Sequence, residues 1–170
     1  MSEAVTNAIE LNSSHIGAWF PFITILIYGV ILLKINIKLT KLEMYLTSLF
    51  ALYLSIITDY VLGMTFQFYE YFDQGGDIWT PITVIPLYVL TNLVFLNLYP
   101  FTSSQWKKWI YILVWSLYAT VWEWFSVEYT SFFSHDNWKL WYSAVIYPFL
   151  YLLILGNLKF IRSNQVGTKK

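Results

Sequence analysis

The sequence predicts an all-α fold: an integral membrane bundle of five transmembrane helices, N-terminus outside and C-terminus cytoplasmic. Three observations lead there. Hydrophobic residues make up 58% of the 170-residue chain and charged residues only 12%, where a soluble domain carries about 25%. Five stretches are apolar over about the 20 residues that a helix needs to cross a hydrocarbon core about 30 Å thick. The Lys and Arg residues, which collect on the cytoplasmic side of membrane proteins, fall in the connections that five spans would place on one side.

Residues 1–15 read as a short extracytoplasmic segment. They carry Glu3 and Glu10 and no basic residue, so they lack the positive start of a cleavable signal peptide, and the helix that follows is expected to be retained. The transmembrane domain then covers 16–162. Its first span, 16–33, has no charge, and its second, 44–66, is interrupted only by Asp59. The third, 79–99, contains Pro86, Tyr88, Asn92 and Asn97; the fourth, 109–127, contains Glu123; the fifth, 138–158, contains Ser143, Tyr147 and Pro148. Residues 163–170 form a polar cytoplasmic tail. Helices of a soluble bundle would each keep a polar face, but 22–33 and 147–155 are apolar all round. The same continuity excludes the every-second-residue pattern of a β-barrel.

Orientation follows from charge. Lys34, Lys38 and Lys41 follow the first span, Lys107 and Lys108 precede the fourth, and Lys159, Arg162, Lys169 and Lys170 follow the fifth. Only Lys139 falls on the opposite side. Ten basic and ten acidic residues cancel, and no Lys/Arg block offers a footprint for nucleic acid. The chain has no Cys, which excludes disulfide frameworks, thiol catalysis and Cys-ligated metals. Trp19, Trp79, Trp138 and Trp141 fall at one expected interface and Trp106 and Trp109 at the other, where indoles prefer to sit.

The polar residues inside the spans are the candidates for function. Asp59 lies about 22 Å along the second span and Glu123 about 21 Å along the fourth from Trp109, at 1.5 Å per residue. The two carboxyls therefore share a depth. Ionisable residues in a bilayer face protein or a cavity, and small and polar neighbours agree: Ser116, Ala119 and Thr120 accompany Glu123, and Thr47, Ala51, Ser55 and Gly63 accompany Asp59. Tyr147, about 9 Å below Trp141, reaches nearly the same level. A ligand or proton site is expected from Asp59, Glu123, Tyr147, Asn92 and Tyr88, with Thr24 beside them. The competing reading makes the two acids hydrogen-bonded glue between helices. The connections after the second and fourth spans gather Glu70, Asp73, Asp77, Glu128 and Asp136 without the spacing of a calcium loop. His15 and His135 read as surface histidines. No His-Glu-x-x-His, Gly-x-Ser-x-Gly, Walker or dinucleotide motif occurs, so no catalytic residue, cofactor or metal ligand is assigned.

The runs Phe95-Leu96-Asn97-Leu98-Tyr99-Pro100, Trp115 to Phe125 around Trp122-Glu123-Trp124, and Trp138-Lys139-Leu140-Trp141-Tyr142-Ser143 leading into Tyr147-Pro148-Phe149 resemble a family of small uncharacterised multi-span membrane proteins of Bacillus and Clostridium relatives. The resemblance spans residues 44–162 and implies a helical bundle in a bacterial cytoplasmic membrane. Glu123 and Tyr147-Pro148 match its pattern, Asp59 less closely, and it carries over no activity. Three functions compete. The first is a non-catalytic protein of the lipid bilayer that binds a lipid, a small amphiphile or a partner, whether another membrane protein or a second copy. The second is a subunit of a proton-coupled transporter using Asp59 and Glu123. The third is an intramembrane lipid-modifying enzyme built on the same acids; the lack of catalytic motifs favours the first.

Overall fold

Long apolar stretches become helices because a helix satisfies its peptide N–H and C=O groups within one segment. The computed structural model describes residues 17–72 and 79–167. Among them five helices and two short strands follow in order: α1 (Trp19–Lys34), α2 (Lys41–Thr58, prolonged by a π-helical stretch Asp59–Thr65), β1 (Tyr69–Tyr71), α3 (Trp79–Leu98), α4 (Gln105–Tyr129), β2 (Phe133–His135) and α5 (Leu140–Gly167). Four of the helices, α2 to α5, are long and apolar enough to cross a membrane. The first has 16 residues, about 24 Å, and is shorter than the hydrocarbon thickness.

Two features depart from the sequence expectation. Helix α5 continues to Gly167, into the segment read as a tail, and there Ser163 Oγ and Asn164 Nδ2 both donate to the Phe160 carbonyl, at 2.8 and 2.9 Å. The connections after α2 and α4, read as loops, pair as antiparallel strands, with Tyr69 opposite His135, Glu70 opposite Ser134 and Tyr71 opposite Phe133. Each strand is three residues long, so its alternation covers a single repeat. The strands form because the two connections meet at one end of the bundle. The segments 1–16, 73–78 and 168–170, with His15, Asp73 and Asp77, lie outside the described residues.

The helices form a ring. Helix α1 packs on α3, α3 on α2, α2 on α5 and α5 on α4. The ring closes through α4 and α1: Tyr28 donates to the Tyr118 hydroxyl at 3.0 Å, Trp122 Nε1 donates to Thr24 Oγ1 at 2.9 Å, and Phe20 stacks on Trp122 at 4.8 Å. Polarity is inside out. Leu33 is 88% exposed and Met64 71%, while Thr47 is 1% exposed and Glu123 3%, a distribution that water would not tolerate over so wide an apolar surface.

One end of the ring carries Lys34, Lys38, Lys41, Lys107, Lys108, Lys159 and Arg162. This basic end is closed by a floor around Phe95, fully buried among Leu39, Leu96, Tyr99, Ile112, Tyr151 and Leu158. Tyr111 OH donates to the Phe95 carbonyl at 2.7 Å. Asn97 Oδ1 accepts from the backbone of Lys38 and Leu39 at 2.8 and 3.2 Å, tying the α1–α2 connection to α3. Thr40 and Glu43 form a reciprocal capping box at the start of α2, and Glu43 Oε1 also accepts from Arg162 Nε at 2.7 Å.

The strands roof the opposite end. The Phe68 carbonyl accepts from the backbone N–H groups of Asp136, Asn137 and Trp138 at 3.0 to 3.2 Å. Gly17 lies so close beneath β2 that a Cβ there would stand 2.3 Å from the Phe132 nitrogen.

Candidate functional site

Between the Phe95 floor and the strand roof lies a cavity of about 200 Å³, walled by residues of all five helices and both strands. A cavity of about 150 Å³ holds a benzene molecule, so this one holds a compound of roughly eight non-hydrogen atoms. Asp59, Tyr88, Asn92, Glu123 and Tyr147, the residues that the sequence singles out, all line it, with Thr24. They stand as two clusters and one separate amide.

Asp59 opens the π-helical stretch of α2, a distortion that recurs at functional positions. A strand turns alternate residues to one face, so Tyr69 and Tyr71 leave β1 on the same side. Their hydroxyls donate to Asp59 Oδ1 at 2.9 and 3.2 Å. With the Tyr71 proton committed there, Tyr88 donates to the Tyr71 oxygen, 3.0 Å away. Burial, reinforced by Asp59 and Tyr88, pushes the Tyr69 and Tyr71 phenols well above the usual tyrosine range, so both remain donors. The second oxygen, Asp59 Oδ2, accepts no hydrogen bond from the described residues.

Glu123 is the opposite case, with both oxygens occupied. Ser143 and Tyr147 follow one another by a helical turn on α5, a spacing that puts them on one face. Ser143 Oγ donates to Glu123 Oε1 at 2.6 Å and Tyr147 OH donates to Oε2. Trp138 Nε1 donates to Ser143 at 2.7 Å, which orients that hydroxyl towards the carboxyl. His135 Nε2 lies 2.9 Å from Oε1. The surface role expected for His135 is therefore corrected: β2 turns it inwards, and its side chain is 13% exposed.

Asn92 sits apart on α3. Its Nδ2 donates to Thr47 Oγ1 at 3.2 Å, and Thr47 spends its own proton on the Glu43 carbonyl at 2.7 Å. That order fixes which end of the amide is which. Oδ1 is left without a partner although the residue is only 2% exposed.

Sequence reasoning thus reached both carboxyls and missed most of what holds them. Tyr69, Tyr71, His135 and Trp138 come from the strand connections, where Trp138 reads as an interfacial residue and His135 as a surface histidine. The alternations Tyr69-Glu70-Tyr71 and Phe133-Ser134-His135 were the available signal, since each puts its first and third side chains on one face. Among the described residues no group of three or more His, Asp or Glu side chains is placed to hold a metal ion. Comparison of the chain with protein-family models, curated proteins and solved structures gives no match.

Proposed function

We propose that this chain is a multi-pass protein of a bacterial cytoplasmic membrane that binds a small amphiphile between its helices without transforming it. The observation that carries the reading is the cavity, about 200 Å³, apolar for most of its wall and holding two carboxyls near its strand end. A site of that composition orients a ligand by a few polar groups and retains it by apolar contact. Its volume suits a small compound better than a whole two-chain lipid. Ser55, Thr58 and Thr91, hydroxyls of the lining, donate to carbonyls of their own helices, which favours binding over nucleophilic chemistry.

In this reading α1 is also a span, which brings the number to five, and it lies along α3. Gathering of the basic side chains at one end supports a cytoplasmic C-terminus and an external roof. The transporter alternative needs a path to the basic end, where Phe95, Leu96 and Leu158 pack almost without exposure, and this packing supports binding over transport. Native mass spectrometry of the protein released from its own membrane tests the proposal. A retained small-molecule adduct is expected, lost in Ala51→Phe or Ala119→Phe, which fill the cavity wall, at unchanged helical content. An adduct that survives both substitutions would overturn it.

A further inference from the structure

The cavity also has a chemical preference, which rests on the binding reading above. Around the two carboxyls every hydroxyl and indole donor is already spent. Tyr69 and Tyr71 donate to Asp59, Tyr88 to Tyr71, Ser143 and Tyr147 to Glu123, Trp138 to Ser143, and Trp122 to Thr24. What remains open beside the carboxyls is acceptor, Asp59 Oδ2; deeper in the wall the Asn92 Oδ1 is buried and unpartnered, and the Tyr118 and Tyr151 hydroxyls line the cavity there as well. No Lys or Arg lines the cavity. His135 is committed to Glu123. At the Asp59 end a ligand that enters must therefore supply the donor. Tyr69, Tyr71, Tyr88 and Trp138 line the same part of the cavity.

We infer that the cavity selects an ammonium group on a short apolar stem, with the ammonium at Asp59 and the stem directed towards Leu87, Leu150 and Ile154. An anionic head would meet two carboxyls and bring no donor, and an alcohol brings one donor where an ammonium brings three. The approach is favourable as well. The roof and its flanks carry Glu70, Glu128 and Asp136 against a single Lys139, a charge balance that raises the local concentration of cations.

The test uses the full chain in phosphatidylglycerol nanodiscs, titrated with phenethylamine, phenethyl alcohol and phenylacetate while Trp fluorescence is followed, since Trp122 and Trp138 line the site. Phenethylamine should bind saturably and on the order of tenfold tighter than the alcohol, and Asp59→Asn should remove that advantage, as expected when one partner of a charge pair is truncated. Equal or tighter binding of the alcohol or the carboxylate to the native protein overturns the ammonium assignment while leaving a binding cavity in place. Saturable binding of none of the three overturns the cavity reading itself. Because the three probes are compared on the native chain, the outcome does not depend on the variant folding. An ammonium group has two sources, a free amine or an ethanolamine headgroup. Repeating the titration with phosphatidylethanolamine in the nanodisc separates them: competition assigns the headgroup, and an unchanged affinity assigns the free amine.

Discussion

Glu123 and Asp59 show how unequal two buried carboxyls become once their neighbours are placed. Glu123 meets Ser143, Tyr147 and His135 and serves to hold α4, α5 and β2 together; Asp59 keeps an oxygen open. Glu123→Gln should therefore destabilise the protein by about 1–3 kcal/mol, the penalty for leaving buried groups unsatisfied, measured as a lower thermal midpoint in detergent. Combined with Tyr147→Phe, the loss should be less than the sum of the singles, because neighbours sharing a hydrogen bond are not additive. Asp59→Asn should change stability less and ligand affinity more. At Gly17 the argument is steric. Its α-carbon packs on the Ser131–Phe132 backbone, which cannot rotate away as a side chain would, and Gly17→Ala should cost about 1–3 kcal/mol in the same measurement. The place of Glu123 inside an apolar helix was legible in the sequence, since a lone acid in an apolar run stands out. That His135 would be its partner was not, because contact across a turn of unknown length leaves no spacing to read.

At the level of the element, the start of α2 carries a motif that the sequence displays openly. Thr40-Lys41-Leu42-Glu43 has the Thr-x-x-Glu spacing of a capping box, and both reciprocal hydrogen bonds form, Glu43 N–H to Thr40 Oγ1 at 3.2 Å and Thr40 N–H to Glu43 Oε2 at 2.8 Å. Thr40→Ala should cost about 1 kcal/mol, read from the same unfolding curves. The strand pair is the less legible element, and its stability should depend on pH. Burial and then the nearby Asp136 raise the Glu70 carboxyl above its usual range, about 4.3 for glutamate. A carboxyl raised in the folded state contributes stability below its unfolded value, and that contribution disappears as pH climbs through the folded value. Amide exchange in β1 should therefore speed up, beyond its intrinsic pH dependence, above about pH 4.3. In Asp136→Asn that extra change should shrink.

For the whole molecule the testable quantity is orientation. The chain contains no Cys, so a single introduced thiol reports its own side of the membrane. Ser134→Cys, on the exposed face of β2, should react with an impermeant maleimide added to intact cells. Ser163→Cys, at the basic end of α5, should react only after permeabilisation; the reverse pattern would invert the proposed topology. By itself the sequence determined that the chain is helical and apolar in runs of membrane length, that its basic residues fall in one set of connections, and that two acids lie inside apolar runs. These are one-dimensional properties, set by composition, by the rise of a helix and by the spacing of charges along it. Only the tertiary structure decided that the ring closes through α1 and α4, that two connections pair into a roof, and that one carboxyl is saturated while the other is open. Each of those depends on contacts between residues far apart in the chain, such as Asn92 with Thr47 or Arg162 with Glu43, for which local periodicity holds no information.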